Sequence, residues 1–175
     1  MREVIFIMGD IAAGKSTYAK YLSKKYKIPY FLKDTFKELL SDSIGYADRL
    51  QNRKLSEGAF NSMLEISERL MEQDISFILE SNFRQEELDA YEKLINRFKY
   101  ESVILFLQGD IETLHARYIK RIDEGRHKTH LVVDLKEYEV FKKYTLETRI
   151  RKPFGKYKII DATNFQFYNE DVLKL

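Results

Sequence analysis

Residues 9 to 16 read Gly-Asp-Ile-Ala-Ala-Gly-Lys-Ser and follow the apolar run 4–8 directly. They form a complete G-x-x-x-x-G-K-[ST] pattern, whose glycines let the backbone curl so that successive N–H groups point into one concavity. A helix pattern follows, and its positive end would point at the same place. Such a turn can arise by chance, but here a short strand precedes it and a helix follows it. The stretch therefore predicts a phosphate-binding loop at the start of an α/β fold.

The side chains of this loop have distinct expected roles. Lys15 can reach the β- and γ-phosphates of a nucleoside triphosphate, and the Ser16 hydroxyl can take one coordination position on the accompanying Mg²⁺. Thr17 comes one position too late to be as good a ligand. We expect ATP and Mg²⁺ as cofactors, with the nucleotide held by Gly9, Asp10, Ile11, Ala12, Ala13, Gly14, Lys15, Ser16 and Thr17.

Length and composition limit the remaining possibilities. A chain of 175 residues fits one domain with one good core. Thirty Lys and Arg against 28 Asp and Glu give a formal charge of +2, too small to indicate general attraction to nucleic acid or membranes. Cysteine is absent, which excludes disulfides and thiol nucleophiles. The first apolar run is too short for a signal peptide or a membrane span, so we expect a cytoplasmic protein.

Five short apolar runs predict the strands: residues 3–8, 28–32, 75–80, 102–107 and 156–161. Each run is nearly continuous, which is typical of strands covered on both faces. Helical patterns fill the intervals, at residues 15–26, 34–44, 56–73, 84–98, 110–124 and 134–146. This alternation predicts right-handed βαβ units and an open parallel sheet with helices on both faces. Functional residues should then follow the carboxyl ends of the strands.

Asp34 comes just after the second predicted strand, at the start of a helix. A carboxylate there can be the helix N-cap, accepting backbone N–H groups. It can also orient an acceptor hydroxyl and take its proton during phosphoryl transfer. The two roles are compatible, and Asp34 is our candidate general base.

Glu80 and Asn82 follow the third strand. Asn82 with Gln85 has the spacing of a capping box for the next helix. Glu80 ends an apolar strand, where an unpaired buried carboxylate would cost several kcal/mol. We therefore expect Glu80 to have a partner, either Mg²⁺ through a water molecule or a nearby lysine or arginine, in a catalytic site or in a structural ion pair.

The densest basic segment lies in the predicted fifth helix and just after it. Arg117 and Arg121 are four residues apart and share a helix face, and Arg126 begins the run Arg-His-Lys-Thr-His. The segment can be an ordinary solvated surface, or its guanidinium groups can stabilise charge on a transferring phosphoryl group. His127 and His130 have a metal-pair spacing, but the sequence offers no evident third ligand, so we do not expect zinc.

These residues together resemble the P-loop kinases of the nucleoside and adenylate kinase type, and within them the AAA-33-like kinases related to polynucleotide kinase, zeta toxin and chloramphenicol phosphotransferase. The resemblance covers nearly the whole chain. It is carried by residues 9–16, 33–38, 80–83 and 117–130. It implies a single P-loop kinase domain over 1–175, with the P-loop NTPase fold, sheet order 2-3-1-4-5 and a lid segment at 117–132.

The resemblance also implies roles for individual residues. Asp34 would be the general base, Arg121 and Arg126 would hold phosphates, and Arg117 would lie beside the nucleotide base. Two positions depart from the family pattern. Glu80 stands where the strand usually ends in Asp, and Lys37 stands where polynucleotide kinases tend to have arginine.

The sequence therefore predicts a kinase that transfers the γ-phosphoryl group of ATP to a hydroxyl of a small molecule. A polynucleotide 5′-hydroxyl kinase is the alternative within the same chemistry, with a local strand-binding surface formed by Tyr46, Arg49, Arg53 and Lys54. A non-catalytic nucleotide-binding regulator is the alternative from another class. The N-K-x-D run that GTP-dependent switches need is absent from the sequence.

Overall fold

The computed structural model describes residues 2–125, 127–130 and 135–164. Strands and helices alternate along most of the chain, as the sequence pattern predicts. Their order is β1 (Glu3–Gly9), α1 (Lys15–Tyr26), β2 (Tyr30–Leu32), α2 (Lys33–Ile44), α3 (Arg49–Glu72), β3 (Phe77–Glu80), α4 (Gln85–Phe98), β4 (Glu101–Gln108), α5 (Ile111–Asp123), a short 3₁₀ turn (Lys128–His130), α6 (Tyr138–Arg149) and β5 (Lys156–Asp161).

The five strands form one parallel sheet in the order β2-β3-β1-β4-β5, which confirms the expected topology. The central strand β1 pairs with β3 on one side and β4 on the other. Its register places Ile7 opposite Glu80 and Gly9 opposite Leu107. The carboxyl ends of β1, β3 and β4 therefore meet at one edge of the sheet, where the phosphate-binding loop begins.

Alternate side chains of β1 enter two separate cores. Ile5 and Ile7 pack with buried residues of α1, α5 and α6, whereas Phe6 and Met8 pack with buried residues of α3 and α4. Helices cover both faces, as predicted, and the central strand is buried throughout. Burial of one such large apolar side chain contributes about 1.5–3 kcal/mol, so the two cores stabilise the sheet that carries the loop.

Two local expectations differ from the structure. Helix α3 begins at Arg49, well before the expected residue 56, because Asp48 is its N-cap and accepts a 2.8 Å hydrogen bond from the Gln51 N–H. Strand β5 lies at the sheet edge and is not covered on both faces: Tyr157 is 57% exposed and Ile159 is 56% exposed.

Both predicted caps near the site are also wrong. The N-cap of α2 is Leu32, so Asp34 lies within the first turn and does not cap the helix. The N-cap of α4 is Arg84 and not Asn82, because the Glu87 carboxylate reaches back to accept the Arg84 backbone N–H at 3.0 Å.

Among the residues that the structure describes, no helix has the length and apolar character needed to cross a membrane.

Candidate active site

The phosphate-binding loop owes its shape to backbone conformations that favour glycine. Gly9 has φ 125° and Gly14 has φ 81°. A Cβ atom on Gly9 would lie 2.1 Å from the carbonyl oxygen of Leu107 on the neighbouring strand, a contact no side chain can make. Gly9 is therefore required where β1 turns away from β4. Ala12 also adopts a left-handed conformation, with φ 62°, and such strain is commonly found at functional loops.

The N-terminus of α1 points its free N–H groups into this loop. The first N–H groups of any helix lack partners within the helix. The N-cap of α1 is Gly14, and within the described chain no side chain caps the helix end. These donors and the positive end of the helix dipole suit an anion, phosphate above all.

Lys15 curls over the loop from the first turn of α1. Its Nζ donates to the carbonyl oxygens of Gly9 at 3.1 Å and Asp10 at 2.7 Å. Burial lowers the Lys15 pKa, an effect that the Glu80 carboxylate opposes. The ammonium group thus lies beside the phosphate-binding concavity, as the motif predicts.

Glu80 ends β3 directly beside the loop and is 4% exposed. Its Oε2 accepts a 3.1 Å hydrogen bond from the Ser16 hydroxyl. Burial raises the pKa of Glu80 to about 7, while the Lys15 charge acts in the opposite direction. Glu80 therefore has a hydrogen-bond partner that was not expected, the Ser16 hydroxyl, and the charge of one lysine, Lys15, acts on it as expected. A hydroxyl and a carboxylate are also the hard oxygen ligands that Mg²⁺ prefers.

Asp10 has a role that the sequence did not reveal. Its carboxylate is fully buried and forms an ion pair with Arg149 of α6, with Nη2 to Oδ2 at 2.5 Å. It also accepts the Gly109 N–H at 3.0 Å, while the Asp10 N–H donates to Leu107. The side chain and N–H of Asp10 are thus engaged by the protein itself, and they hold the loop against β4 and α6.

A cavity of about 460 Å³ opens in front of the loop. It brings together Lys15, Ser16, Asp34 and Glu80, which the sequence singled out, with Arg121 of α5. The Asp34 charge acts on the pKa values of both Lys15 and Glu80, which places it near them. Polar side chains predominate in the rest of the lining: Lys33, Lys37, Arg49, Asn52, Arg53, Ser56, Ser81, Asn82, Arg84, Thr129, His130 and Arg151.

The three arginines expected in the basic segment occupy different places. Arg121 lines the cavity. Arg117 contacts the loop after β5 instead. Its guanidinium donates to the carbonyl oxygens of Ala162, at 2.8 Å, and of Thr163. Arg126 lies outside the described residues. The structure adds Arg151, which follows α6: this guanidinium lines the cavity, and its buried Nη1 has no hydrogen-bond partner in the described chain.

The turn at residues 127–130 contacts one face of α2 through paired polar groups. His130 lies 2.7 Å from a Glu38 carboxylate oxygen and 3.8 Å from an Asp34 oxygen. His127 lies 3.1 Å from an oxygen of Asp42. These acidic residues recur every four positions, so they form a ladder along the helix.

The expectation that no third metal ligand accompanies the two histidines needs correction. Potential ligand atoms of Glu38, His127 and His130 lie within 4.8 Å of one another. The sequence separates Glu38 from the histidines by most of the chain, so only folding brings them together. Hydrogen bonding already accounts for the arrangement, because Glu38 and His130 are 2.7 Å apart.

A buried ion pair joins α2 to α4 beside the cavity. Lys33 Nζ lies 2.5 Å from a Glu87 oxygen, with side-chain exposures of 7% and 3%. Burial lowers the Lys33 pKa, whereas Glu87 raises it. Glu87 also accepts a hydrogen bond from the Arg84 side chain at 3.2 Å. This pair was not predictable from sequence spacing, because its members lie on different helices.

Comparison with solved structures identifies the type of fold. No family model and no curated protein matches the sequence. Among solved structures, a "putative kinase" from Chloroflexus aurantiacus j-10-fl has a TM-score of 0.83 and 22% identity, over 98% of this chain and 93% of that chain. A gluconokinase from Sinorhizobium meliloti 1021 has a TM-score of 0.55 and 16% identity, over 99% and 86%. A shikimate kinase from Bacteroides thetaiotaomicron has a TM-score of 0.54 and 19% identity, over 93% and 88%. With its phosphate-binding loop and its 2-3-1-4-5 sheet, the chain has the fold of P-loop kinases.

Proposed function

We propose that this protein is an ATP- and Mg²⁺-dependent kinase that transfers the γ-phosphoryl group to a hydroxyl of a small molecule. One observation carries the proposal: the phosphate-binding loop with Lys15 and Ser16 shares a cavity with the carboxylate of Asp34. A phosphotransferase needs such a pairing of a phosphate site with a proton acceptor.

The transfer step assigns each group a task. The acceptor oxygen bonds to the γ-phosphorus as the bond from that phosphorus to the β–γ bridging oxygen breaks, and ADP leaves with the bridging oxygen. The Asp34 carboxylate accepts the proton of the acceptor hydroxyl. Lys15 and Arg121 supply positive charge where the transferring group develops negative charge. Both cations line the cavity that also contains Asp34.

Ser16 and Glu80 are the residues that would hold Mg²⁺, Glu80 directly or through a water molecule. Their oxygen atoms lie 3.1 Å apart beside the loop and suit a hard cation. The ion would supply charge neutralisation on the β- and γ-phosphates. Ionised Glu80 is the form that can serve this purpose, and its carboxylate already receives the Ser16 hydroxyl.

The nucleotide would extend from the loop toward β5. Gly9 to Thr17 would surround the phosphates, and Arg117 would lie beside the base, since it holds the loop after β5. Residues 117–132 would act as a lid, with Arg121 and Arg126 closing over the phosphates. The contacts of the turn 127–130 with α2 support this role, because they join the segment to the helix that carries Asp34.

The neighbouring structures support the choice of a small acceptor, since they include kinases of gluconate and shikimate. The test is ATP turnover with Mg²⁺, measured as ADP release with and without a pool of small hydroxyl-bearing metabolites. We expect near-idle turnover without acceptor, and a phosphorylated metabolite by mass spectrometry with it. A regulator would bind ATP and phosphorylate nothing in the pool, and a polynucleotide kinase would phosphorylate only 5′-hydroxyl oligonucleotides.

A further inference from the structure

Helix α3 contributes a wall of hydrogen-bond donors to the cavity. Arg49, Asn52, Arg53 and Ser56 all line it. Their spacing places them on one face of α3, over its first two turns. A face that lines a cavity and carries two guanidinium groups, an amide and a hydroxyl suits a ligand with several acceptor oxygens.

Two further cations complete this wall. Lys37 of α2 donates to the Thr129 carbonyl oxygen at 3.2 Å and lines the cavity. Arg84 precedes α4 and also lines the cavity. Four positive side chains, from α2, from α3 and from the residue before α4, therefore line the same cavity.

The positive side chains that line the cavity outnumber the carboxylates that line it. Glu57 pairs with Arg53 on the exposed surface, where both side chains are about half exposed or more (66% and 49%) and such pairs are weak. Glu87 contacts both Lys33 and Arg84, and Glu86 also pairs with Arg84 at 3.4 Å. Among the described residues that line the cavity, eight are lysines or arginines and two, Asp34 and Glu80, are carboxylates, so the lining carries an excess of positive charge.

A polar atom in the same cavity also lacks a partner. The side-chain oxygen Oδ1 of Asn82 is buried and accepts no hydrogen bond in the described chain, although Asn82 lines the cavity. Buried polar atoms of this kind are normally satisfied. A ligand O–H or N–H would satisfy it, so the cavity calls for a polar ligand that also carries negative charge.

We propose that the phosphate acceptor carries an anionic group, a carboxylate or a phosphate, and that Arg49 and Arg53 with Lys37 and Arg84 bind that group. This inference rests on the proposed kinase function and narrows its substrate class. Arginine suits the task because its planar fork binds carboxylate and phosphate oxygens in pairs. The cavity volume of about 460 Å³ favours a small molecule over a polynucleotide.

The test measures anion binding without turnover. The protein is first saturated with Mg²⁺ and the non-hydrolysable analogue AMP-PNP, whose γ-phosphate occupies that position of the loop. Thermal unfolding is then followed as potassium phosphate, potassium acetate or potassium chloride is added at equal ionic strength. We expect phosphate or acetate to raise Tm by about 2–4 °C beyond chloride, in a saturable manner.

Variants test which residues bind the anion. Arg49→Gln combined with Arg53→Gln should abolish the anion-specific shift, and each single variant should reduce it. Arg69→Gln is the matched control, since Arg69 is an exposed arginine of the same helix that pairs with Glu65 and does not line the cavity. It should leave the shift unchanged. Circular dichroism confirms that each variant is folded.

The outcomes separate the two proposals. If AMP-PNP does not bind, the kinase function fails, and this inference fails with it. If AMP-PNP binds but phosphate and acetate act like chloride, or the double variant responds like the wild type, only the anionic acceptor is overturned. A 5′-hydroxyl oligonucleotide that binds stoichiometrically, while neither small anion does, would overturn it in favour of a nucleic-acid substrate.

Discussion

The Ser16 hydroxyl donates a 3.1 Å hydrogen bond to Glu80 and joins the first turn of α1 to the end of β3. The two residues come from neighbouring strand–helix units, and parallel pairing of β1 with β3 brings them together. A buried carboxylate with a pKa raised to about 7 therefore lies where the phosphate groups of a nucleotide would bind. Burial is the main cause, and it gives the site a titration near neutral pH.

This titration predicts how the stability of the unliganded protein depends on pH. Between pH 4.5 and about 7 the folded state keeps the Glu80 proton that the unfolded state has lost. Unfolding then releases a proton, so the contribution of Glu80 to the free energy of unfolding falls as pH rises through this window. Urea unfolding measured across it should show this fall in the wild type relative to Glu80→Gln. Parallel profiles for the two proteins would contradict the buried-carboxylate assignment.

Lys15→Met should remove phosphoryl transfer and keep the fold. The Lys15 ammonium contacts only loop carbonyl oxygens in the hydrogen bonds described, so its charge serves the phosphates more than the packing. Circular dichroism, ATP binding and turnover are measured together. Lys20→Met, at an exposed position of the same helix, is the control and should behave as the wild type. An unfolded Lys15→Met protein, or one with full activity, would argue against the assigned role.

Asp34→Asn should lower turnover by about two to four orders of magnitude with near-wild-type melting. Leu32, not Asp34, is the helix N-cap, so the substitution removes a first-turn charge from α2 and the charge that faces His130 at 3.8 Å, and both changes are small. Asp42→Asn changes the same face of the same helix, near His127, and should retain activity. Turnover and Tm of both variants distinguish a catalytic from a structural role of Asp34. Lost stability with surviving catalysis would make Asp34 a structural residue.

Arg121→Ala and Arg126→Ala should lower the rate of transfer more than they weaken ATP binding, because charge is needed most as the phosphoryl group moves between oxygens. Hydrogen exchange over residues 117–132 should also slow when an ATP analogue binds, as expected of a lid. Unchanged exchange together with normal turnover in both variants would identify the segment as an ordinary solvated surface.

Asp10→Ala should destabilise the protein by about 3 kcal/mol. The substitution leaves Arg149 without its carboxylate partner and the Gly109 N–H without its acceptor. The control is Glu65→Ala, which breaks an exposed pair with Arg69 and should change the free energy of unfolding little. Urea unfolding compares the two. Equal, small effects would mean that the Asp10–Arg149 pair does not hold the loop.

The site was predictable to the extent that its residues follow strands. Lys15, Ser16, Asp34 and Glu80 line one cavity, as their positions after strands suggested, and Arg121 of the basic segment lines it too. The capping prediction for Asn82 was wrong. Arg84 is the N-cap instead, because the carboxylate of Glu87, three residues after Arg84, accepts the Arg84 N–H. Local spacing alone cannot rank two competing caps.

The sequence by itself determined the phosphate-binding loop, the alternation of strands and helices, and the edge of the sheet where the site lies. These features depend on neighbours within a few residues, whose spacing sets periodicity and turn geometry. Only the tertiary structure decided that Arg149 holds Asp10, that Arg151 enters the cavity and that Glu38 meets His130. Those contacts join residues far apart in the chain, and their geometry depends on how the helices pack on the sheet, which no local pattern specifies.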